Sequence, residues 1–241
     1  DEQKRIAAIL DQADSLRRLR QRAIDRLNTL GQAIFYEMFG DPGANQKDWD
    51  VLRIGDLAAS TQYGTSSKAG AEGEYPILRM NNVTYDGKID LGSLKYIDLE
   101  DREIDKYTIV DGDVLFNRTN SAELVGKTAV YRGKERLAFA GYLVRLRTND
   151  RAVPDYISGF LNCRYGKKVL RGMCKSIIGM ANINAKELCT IDIPVPPVAM
   201  QERYAERVAE LSVSEFPLHM HLRSLHALFS SLQHRAFRGE L

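Results

Sequence analysis

The chain has 241 residues, 44% hydrophobic and 27% charged, the balance of an ordinary soluble protein with room for one large domain or a medium one with appendages. No apolar run approaches the roughly 20 residues that span a bilayer, and the opening Asp1-Glu2-Gln3-Lys4-Arg5 has no apolar stretch behind it, so neither a membrane span nor a secretory signal is expected. A net charge of only +2 gives no case for a polyanionic partner, which has to be argued from where the cations sit. Cys163, Cys174 and Cys189 lack C-x-x-C spacing, so buried thiols in a reducing cytoplasm are expected rather than zinc or disulfides. The first residue is Asp, not Met, and we expect a processed chain or part of a longer one.

Residues 3–39 read as one long helix. Ile6, Ile9, Leu10, Ala13, Leu16, Leu19, Ile24, Leu27, Leu30, Ile34 and Met38 recur mostly every three or four positions, and Gly40-Asp41-Pro42-Gly43 stops the pattern. Such a helix would be about 55 Å long, too long for a small domain to cover, so much of it should pack on another helix. Residues 44–153 change character. Short β-prone segments at 75–80, 87–91, 93–97, 113–117, 128–131 and 142–147 alternate with Gly, Asn and Asp turns. Pro154-Asp155 opens a helix predicted to run to about Gly172, and residues 188–193 read as a last strand closed by Pro194-Val195-Pro196-Pro197.

From Met200 the helical pattern returns. Tyr204, Val208, Leu211, Leu218, Leu222, Leu225, Phe229, Leu232 and Ala236 keep a 4–3 heptad spacing, with Glu215 at the one polar seam position, which is the mark of a coiled-coil seam. Pro217 interrupts it and predicts a kink or a fresh helix start, with Ser214 as a cap. The two helical segments overlay at a constant offset of 198 residues: Gln3, Arg5, Ala7, Leu27, Leu30 and Phe39 fall on Gln201, Arg203, Ala205, Leu225, Leu228 and Phe237. Repeats flanking one domain imply quasi-symmetry, and a unit of this kind can pair with a second copy or a related half about a twofold axis.

The chemistry of an enzyme is hard to find. All four histidines lie in the C-terminal helix, at 219, 221, 226 and 234, so the central domain has no histidine base or ligand. There is no phosphate-binding P-loop, no GxGxxG after a strand, and no Asn/Asp-Pro-Pro-Tyr/Phe tetrapeptide to hold a target amine. The acidic cluster at 98–105 is not followed by an acidic-x-Lys triplet and reads as a solvated turn, and Asp86-Gly87-Lys88 reads as a hairpin turn. What recurs instead is hydrogen-bonding loops: Tyr63-Gly64-Thr65-Ser66-Ser67-Lys68, Arg79-Met80-Asn81-Asn82, Asn117-Arg118-Thr119-Asn120-Ser121, Lys175-Ser176 and Asn182-Ile183-Asn184. Arg, Asn, Gln and Lys read base edges in the major groove, with Ser and Thr as adaptable partners. Between Asp155 and Glu187 there is no acidic residue, while Arg164, Lys167, Lys168, Arg171, Lys175 and Lys186 lie in that window, a local charge able to follow phosphates.

Residues 2–14, Glu37-Met38-Phe39-Gly40-Asp41-Pro42, Tyr63-Gly64-Thr65-Ser66, Gly112-Asp113-Val114-Leu115-Phe116-Asn117-Arg118, Ile193-Pro194-Val195-Pro196-Pro197 and the tail Ala236-Phe237-Arg238-Gly239-Glu240-Leu241 together resemble the specificity (S) subunit of type I restriction–modification enzymes, at half length. The resemblance implies an α+β fold in which a β-rich target-recognition domain (43–197) is flanked by two long helices (1–42 and 198–241) that form an antiparallel coiled coil. It implies a non-catalytic subunit that reads one half of a bipartite DNA site and docks modification (M) and restriction (R) subunits. S-adenosylmethionine, Mg2+ and ATP would be used by those partners, and none by this chain. A full S subunit carries two recognition domains and this chain carries one, so it is expected either to form a homodimer through its helices or to be half of a longer chain. On this reading some of Thr65, Ser66, Lys68, Arg79, Asn81, Arg118 and Asn120 read bases, and Lys127, Lys168, Arg171 and Lys175 hold phosphates. Tyr63, Ser67, Asn117, Thr119 and Asn182 complete the expected DNA surface. The alternatives are a stand-alone DNA methyltransferase or nuclease, disfavoured by the missing motifs, and a non-catalytic scaffold.

Overall fold

The computed structural model describes residues 2–121, 123–174 and 180–239. The chain divides into two compact units, one of residues 35–205 and one of residues 1–34 with 206–241. Expected domain boundaries at 43 and 197 follow helix ends. The observed division instead falls inside the helices, because aromatic residues near those ends belong to the larger unit.

Chain order runs α1 (Glu2–Phe39), β1 (Asp50–Arg53), a 3-10 turn (Ile54–Leu57), β2 (Ala58–Tyr63), β3 (Tyr75–Leu78), β4 (Lys95–Ile97), α2 (Asp101–Tyr107), β5 (Thr108–Ile109), β6 (Val114–Asn117), β7 (Thr119–Asn120), β8 (Thr128–Val130), β9 (Leu137–Phe139), β10 (Leu143–Thr148), α3 (Pro154–Asn162), α4 (Arg164–Met173), β11 (Ala181–Asn182), α5 (Ala185–Cys189), β12 (Asp192–Val195) and α6 (Val198–Arg238).

The larger unit holds two four-stranded sheets, ordered β2-β10-β6-β8 and β4-β3-β9-β5, and two short ladders, β1-β12 and β11-β7. The first sheet is antiparallel, and the second has a parallel β3–β9 pair. Leu115, Ala129 and Leu143 from the first sheet pack with Leu78, Ile109, Leu137 and Phe139 from the second, giving one apolar layer between them. A second cluster, Ile77, Ile97, Leu99 and Ala138, packs with Ile104 and Tyr107 of α2. Phe35 and Phe39 meet Tyr156 and Tyr204 with ring centroids 4.9–5.8 Å apart, so the last turn of α1 and the first turns of α6 grip α3. Gln201, fully buried, accepts from Val153 N at 2.9 Å and donates to Arg151 O at 3.2 Å and Pro196 O at 2.8 Å. That side chain satisfies three backbone groups where the Pro-Pro exit meets the helix.

Several expected elements differ. The helix from Pro154 breaks at Cys163, whose backbone is extended and whose Sγ accepts from Gly166 N at 3.3 Å to cap α4. Gly166 allows the break, since a Cβ there would stand 2.0 Å from Phe160 O. The strand expected at 188–193 is instead α5 followed by β12, because Asn184 and Glu187 form a reciprocal capping box. The segment 87–91 is a turn with one isolated bridge, Val83↔Ile89, closed by hydrogen bonds between Thr84 and Lys88. Pro217 lies inside a continuous α6, and Ser214 Oγ donates to Glu210 O at 3.1 Å rather than capping a new helix.

In the helical unit, the exposure of α6 follows the heptad: Val208, Leu211, Glu215, Leu218, Leu222, Leu225, Phe229, Leu232 and Ala236 are all buried or half-buried. On α1 the covered row is Ile6, Leu10, Ala13, Arg17, Arg20, Ile24, Leu27, Gly31 and Ile34. Leu16, Leu19 and Leu30, expected on the apolar stripe, are instead 48%, 53% and 44% exposed. Arg17 takes a covered position by laying its guanidinium 4.6 Å from the Phe229 ring while bonding Asp14. Among the described residues, no helix is long and apolar enough to cross a membrane.

Candidate nucleic-acid interface

The site is built around the hairpin that joins β6 to β8. Its base is closed by Asn117 N donating to Lys127 O and Gly126 N to Asn117 O, both at 2.8 Å. Gly126 has φ +76°, and a Cβ there would lie 2.7 Å from Leu170 Cδ1, so only glycine lets the hairpin both turn and rest on α4. Beyond the base, Asn120 and Thr119 pair with Ala181 and Asn182, Thr119 Oγ1 donates to Asn182 Oδ1 at 3.0 Å, and Ile183 N donates to Arg118 O at 2.9 Å. Two loops expected to bind DNA are thereby one surface.

Tyr63 joins them. Its hydroxyl accepts from Ala185 N at 2.9 Å, and the Arg118 guanidinium lies 5.1 Å from its ring. Tyr63 is 39% exposed, and Arg118 is half-buried with an Nε that has no hydrogen-bond partner among the described residues. Gly64 lets the next loop pass close to β9, since a Cβ would stand 2.3 Å from Phe139 O and Ala140 O. Ser66, Ser67 and Lys68 are exposed, while Thr65 is 3% exposed and its Oγ1 accepts from Ser67 N at 3.1 Å. That loop reaches the hairpin through Gly141 N donating to Thr65 O and Arg118 N donating to Tyr142 O.

The turn at 79–82 is shaped from inside by Asn82, which accepts from Arg79 N at 2.9 Å and donates to Asp90 O and Ser93 O. Asn81 is exposed, and Arg79 is half-buried with Nη2 donating to Ser93 O at 3.4 Å. Lys127, only 7% exposed, donates from Nζ to Met80 O at 2.9 Å and so ties this turn to the hairpin. Arg171 is exposed and donates to the Tyr85 hydroxyl at 3.4 Å. Lys168 is exposed on α4, and Lys175 lies outside the described residues.

The expected site residues thus fall into two groups. Asn117, Thr119, Lys127 and Thr65 are buried and shape the loops. Tyr63, Ser66, Ser67, Lys68, Arg79, Asn81, Arg118, Asn120, Lys168, Arg171 and Asn182 keep some surface. The sequence reading missed Tyr85, 46% exposed, and Tyr142, 51% exposed. The signal for Tyr85 was its place in the Thr84–Lys88 turn, where an aromatic with no core to enter is a stacking candidate. It also missed that Lys167 is 8% exposed, with Nζ donating to Gly126 O at 3.1 Å and lying 5.0 Å from the Tyr85 ring. Burial, then the like charges of Lys127 and Arg171, push the Lys167 ammonium down to about 8. Burial pushes Lys127 down as well.

The exposed set is donors, amides and aromatic faces on loops carried by the sheets, groups able to bond base edges and phosphates. Among the described residues no group of three His, Cys, Asp or Glu side chains is placed to hold a metal ion. Residues 46–214 match the model of the type I restriction modification DNA specificity domain. The chain belongs to that family. One relative carries the name type I restriction enzyme MjaX specificity subunit, from Methanocaldococcus jannaschii, and is 31% identical over 172 residues, 70% of this chain and 40% of the relative. The EcoKI specificity subunit of Escherichia coli K12 is 28% identical over 198 residues, 79% of this chain and 42% of the relative. The fold is similar to the S subunit of a type I restriction–modification system from M. genitalium, with TM-score 0.60 and 15% identity over 96% of this chain and 59% of that one. This specificity-domain chain therefore spans about two-fifths of the length of the curated relatives it matches.

Proposed function

We propose that this chain reads one half of a bipartite DNA site for a type I restriction–modification complex in the cytoplasm and catalyses nothing itself. M and R subunits would dock on it, and S-adenosylmethionine, Mg2+ and ATP would be theirs. The observation that carries the reading is the junction of Arg118, Tyr63, Asn120 and Asn182 on one rigid surface beside the 79–82 turn. Donors held by a sheet and by each other meet a base edge with little ordering cost.

Two long helices with matched seams support an antiparallel coiled coil, whose fixed length would set the spacer between two half-sites. The offset repeat supports pairing with a second copy or a related half. Gln201 and Phe39 are buried against the recognition domain, while their repeat equivalents Gln3 and Phe237 are exposed, Phe237 by 91%. Each end that docks here has a twin that would dock on another recognition domain.

The test is methylation mapping of DNA from cells that carry the chain with its M subunit. A bipartite methylated site is expected, palindromic if two copies pair and asymmetric if two different domains do. Methyl transfer or cleavage by the purified chain alone would overturn the non-catalytic reading. Arg118→Ala should weaken binding to the mapped site by about 1–3 kcal/mol and leave random DNA little affected. An equal loss on both would remove Arg118 from base reading.

A further inference from the structure

Two lysines beneath this surface are spent in an unusual way. Lys127 and Lys167 are 7% and 8% exposed, and the described residues provide neither ammonium with a carboxylate partner. Each donates to a backbone carbonyl. Lys167, from α4, holds Gly126 O at the base of the hairpin that carries Arg118 and Asn120. Lys127, the next residue in that base, holds Met80 O in the turn that carries Arg79 and Asn81. The groups facing the Lys167 ammonium are Lys127 on the hairpin, Tyr85 on the 83–89 turn, and Arg171 and Cys163 on α4 and its cap. None is an acid. Burying an unpaired cation is costly, and a neutral side chain could bond a carbonyl as well. A buried charge is useful here only if something negative approaches.

We propose that Lys127 and Lys167 are positioning residues of the DNA surface: they lock the hairpin and the 79–82 turn to α4, and the approaching polyanion holds them protonated, so that sequence-specific binding takes up a proton. The proposal rests on the reading of this surface as a DNA interface. It follows from reciprocity: if DNA phosphates favour the charged form of Lys167, the charged form favours DNA.

The experiment uses the full chain assembled with its M subunits, and measures binding to a labelled duplex carrying the mapped site and to a scrambled duplex, from pH 7 to 9 at fixed ionic strength. With the free ammonium titrating at about 8, affinity for the site should fall about tenfold over that range. Lys167→Arg, whose charge persists, should lose most of the fall in affinity between pH 7 and 9, keeping only what Lys127 supplies. Lys167→Met at pH 7 should lose about tenfold in discrimination between the duplexes, with the slope of affinity against salt unchanged because no phosphate contact is lost. Lys127→Met should act in the same direction, and the wild-type pH profile needs no variant to fold. A wild-type profile flat within about twofold overturns the proposal. So does a Lys167→Met variant that loses equally on both duplexes with a salt slope lowered by about one, since Lys167 would then be a plain phosphate ligand. Failure of the wild type to distinguish the two duplexes at pH 7 overturns the DNA-reading surface itself, and is seen before any variant is compared.

Discussion

Lys167 shows how a single side chain can weaken a fold while serving a surface. In an unfolded chain a lysine ammonium titrates near 10.4, whereas in the folded protein burial and two like charges bring it to about 8. Between those values the unfolded chain holds the proton and the folded one has released it, so stability should rise as pH goes from about 8 to about 10 and be lower below 8. The rise is on the order of 2–3 kcal/mol at most. Urea unfolding of the wild type at pH 7.5 and 9.5 should show it, and Lys167→Met should be more stable than the wild type at pH 7.5 and lack the rise. A wild type that weakens over this window would mean that the buried cation is compensated. Stability and DNA binding are therefore expected to move in opposite directions over the same pH range, which separates a functional charge from a structural one. None of this was legible in the sequence. A lysine in a basic window looks the same whether it faces solvent, like Lys168, or meets a carbonyl, like Lys167. Asn117 and Asn120 likewise read alike, yet one is fully buried and the other keeps surface.

At the scale of elements, what was legible was what repeats. The long helices and the covered row of α6 followed from spacing alone, because a heptad repeated from Tyr204 to Ala236 leaves one consistent face. The strands at 75, 113, 128 and 142 were found because each is a short β-prone run bounded by Gly, Asn or Asp turns. β1 was missed because it pairs with β12, some 140 residues away, and β7 and β11 because two residues carry no period. α5 could have been found, since Asn184-x-x-Glu187 is a capping box in plain view. Pro217 is the remaining conflict between sequence and element. It lies inside α6, removes a helix donor and crowds the carbonyl of Val213. With Pro217 and Val213 both exposed, little packing opposes relief of that strain. Pro217→Ala should stabilise the chain by about 1–3 kcal/mol, read as a higher melting temperature. A fall would show that the proline fits a bend that an alanine helix cannot follow.

For the whole molecule the question is what the repeat is for, and one pair of residues answers it by experiment. Phe39 and Phe237 occupy the same place in the two copies of the helical repeat. Phe39 is 4% exposed, packed against Phe35, Tyr156 and Tyr204, while Phe237 is 91% exposed. If the repeat merely reflected two similar helices, Phe237 would be an idle surface residue. If it reflects quasi-symmetry, Phe237 belongs in the equivalent aromatic cluster of a second recognition domain. Phe39→Ala should cost about 3–5 kcal/mol in the unfolding of a single copy, because it empties a packed cluster. Phe237→Ala should leave that unfolding unchanged within about 0.5 kcal/mol. In sedimentation velocity over a concentration series, however, it should weaken self-association, or association with the complementary half, at least about tenfold. Association equal to the wild type would mean that the second recognition domain is not held by this end of α6. A pairing lost only in Phe237→Ala, with the fold of each copy intact, would show that the same aromatic grip that fastens α1 to this domain fastens α6 to the next, and that one sequence motif used twice sets how far apart two half-sites can lie.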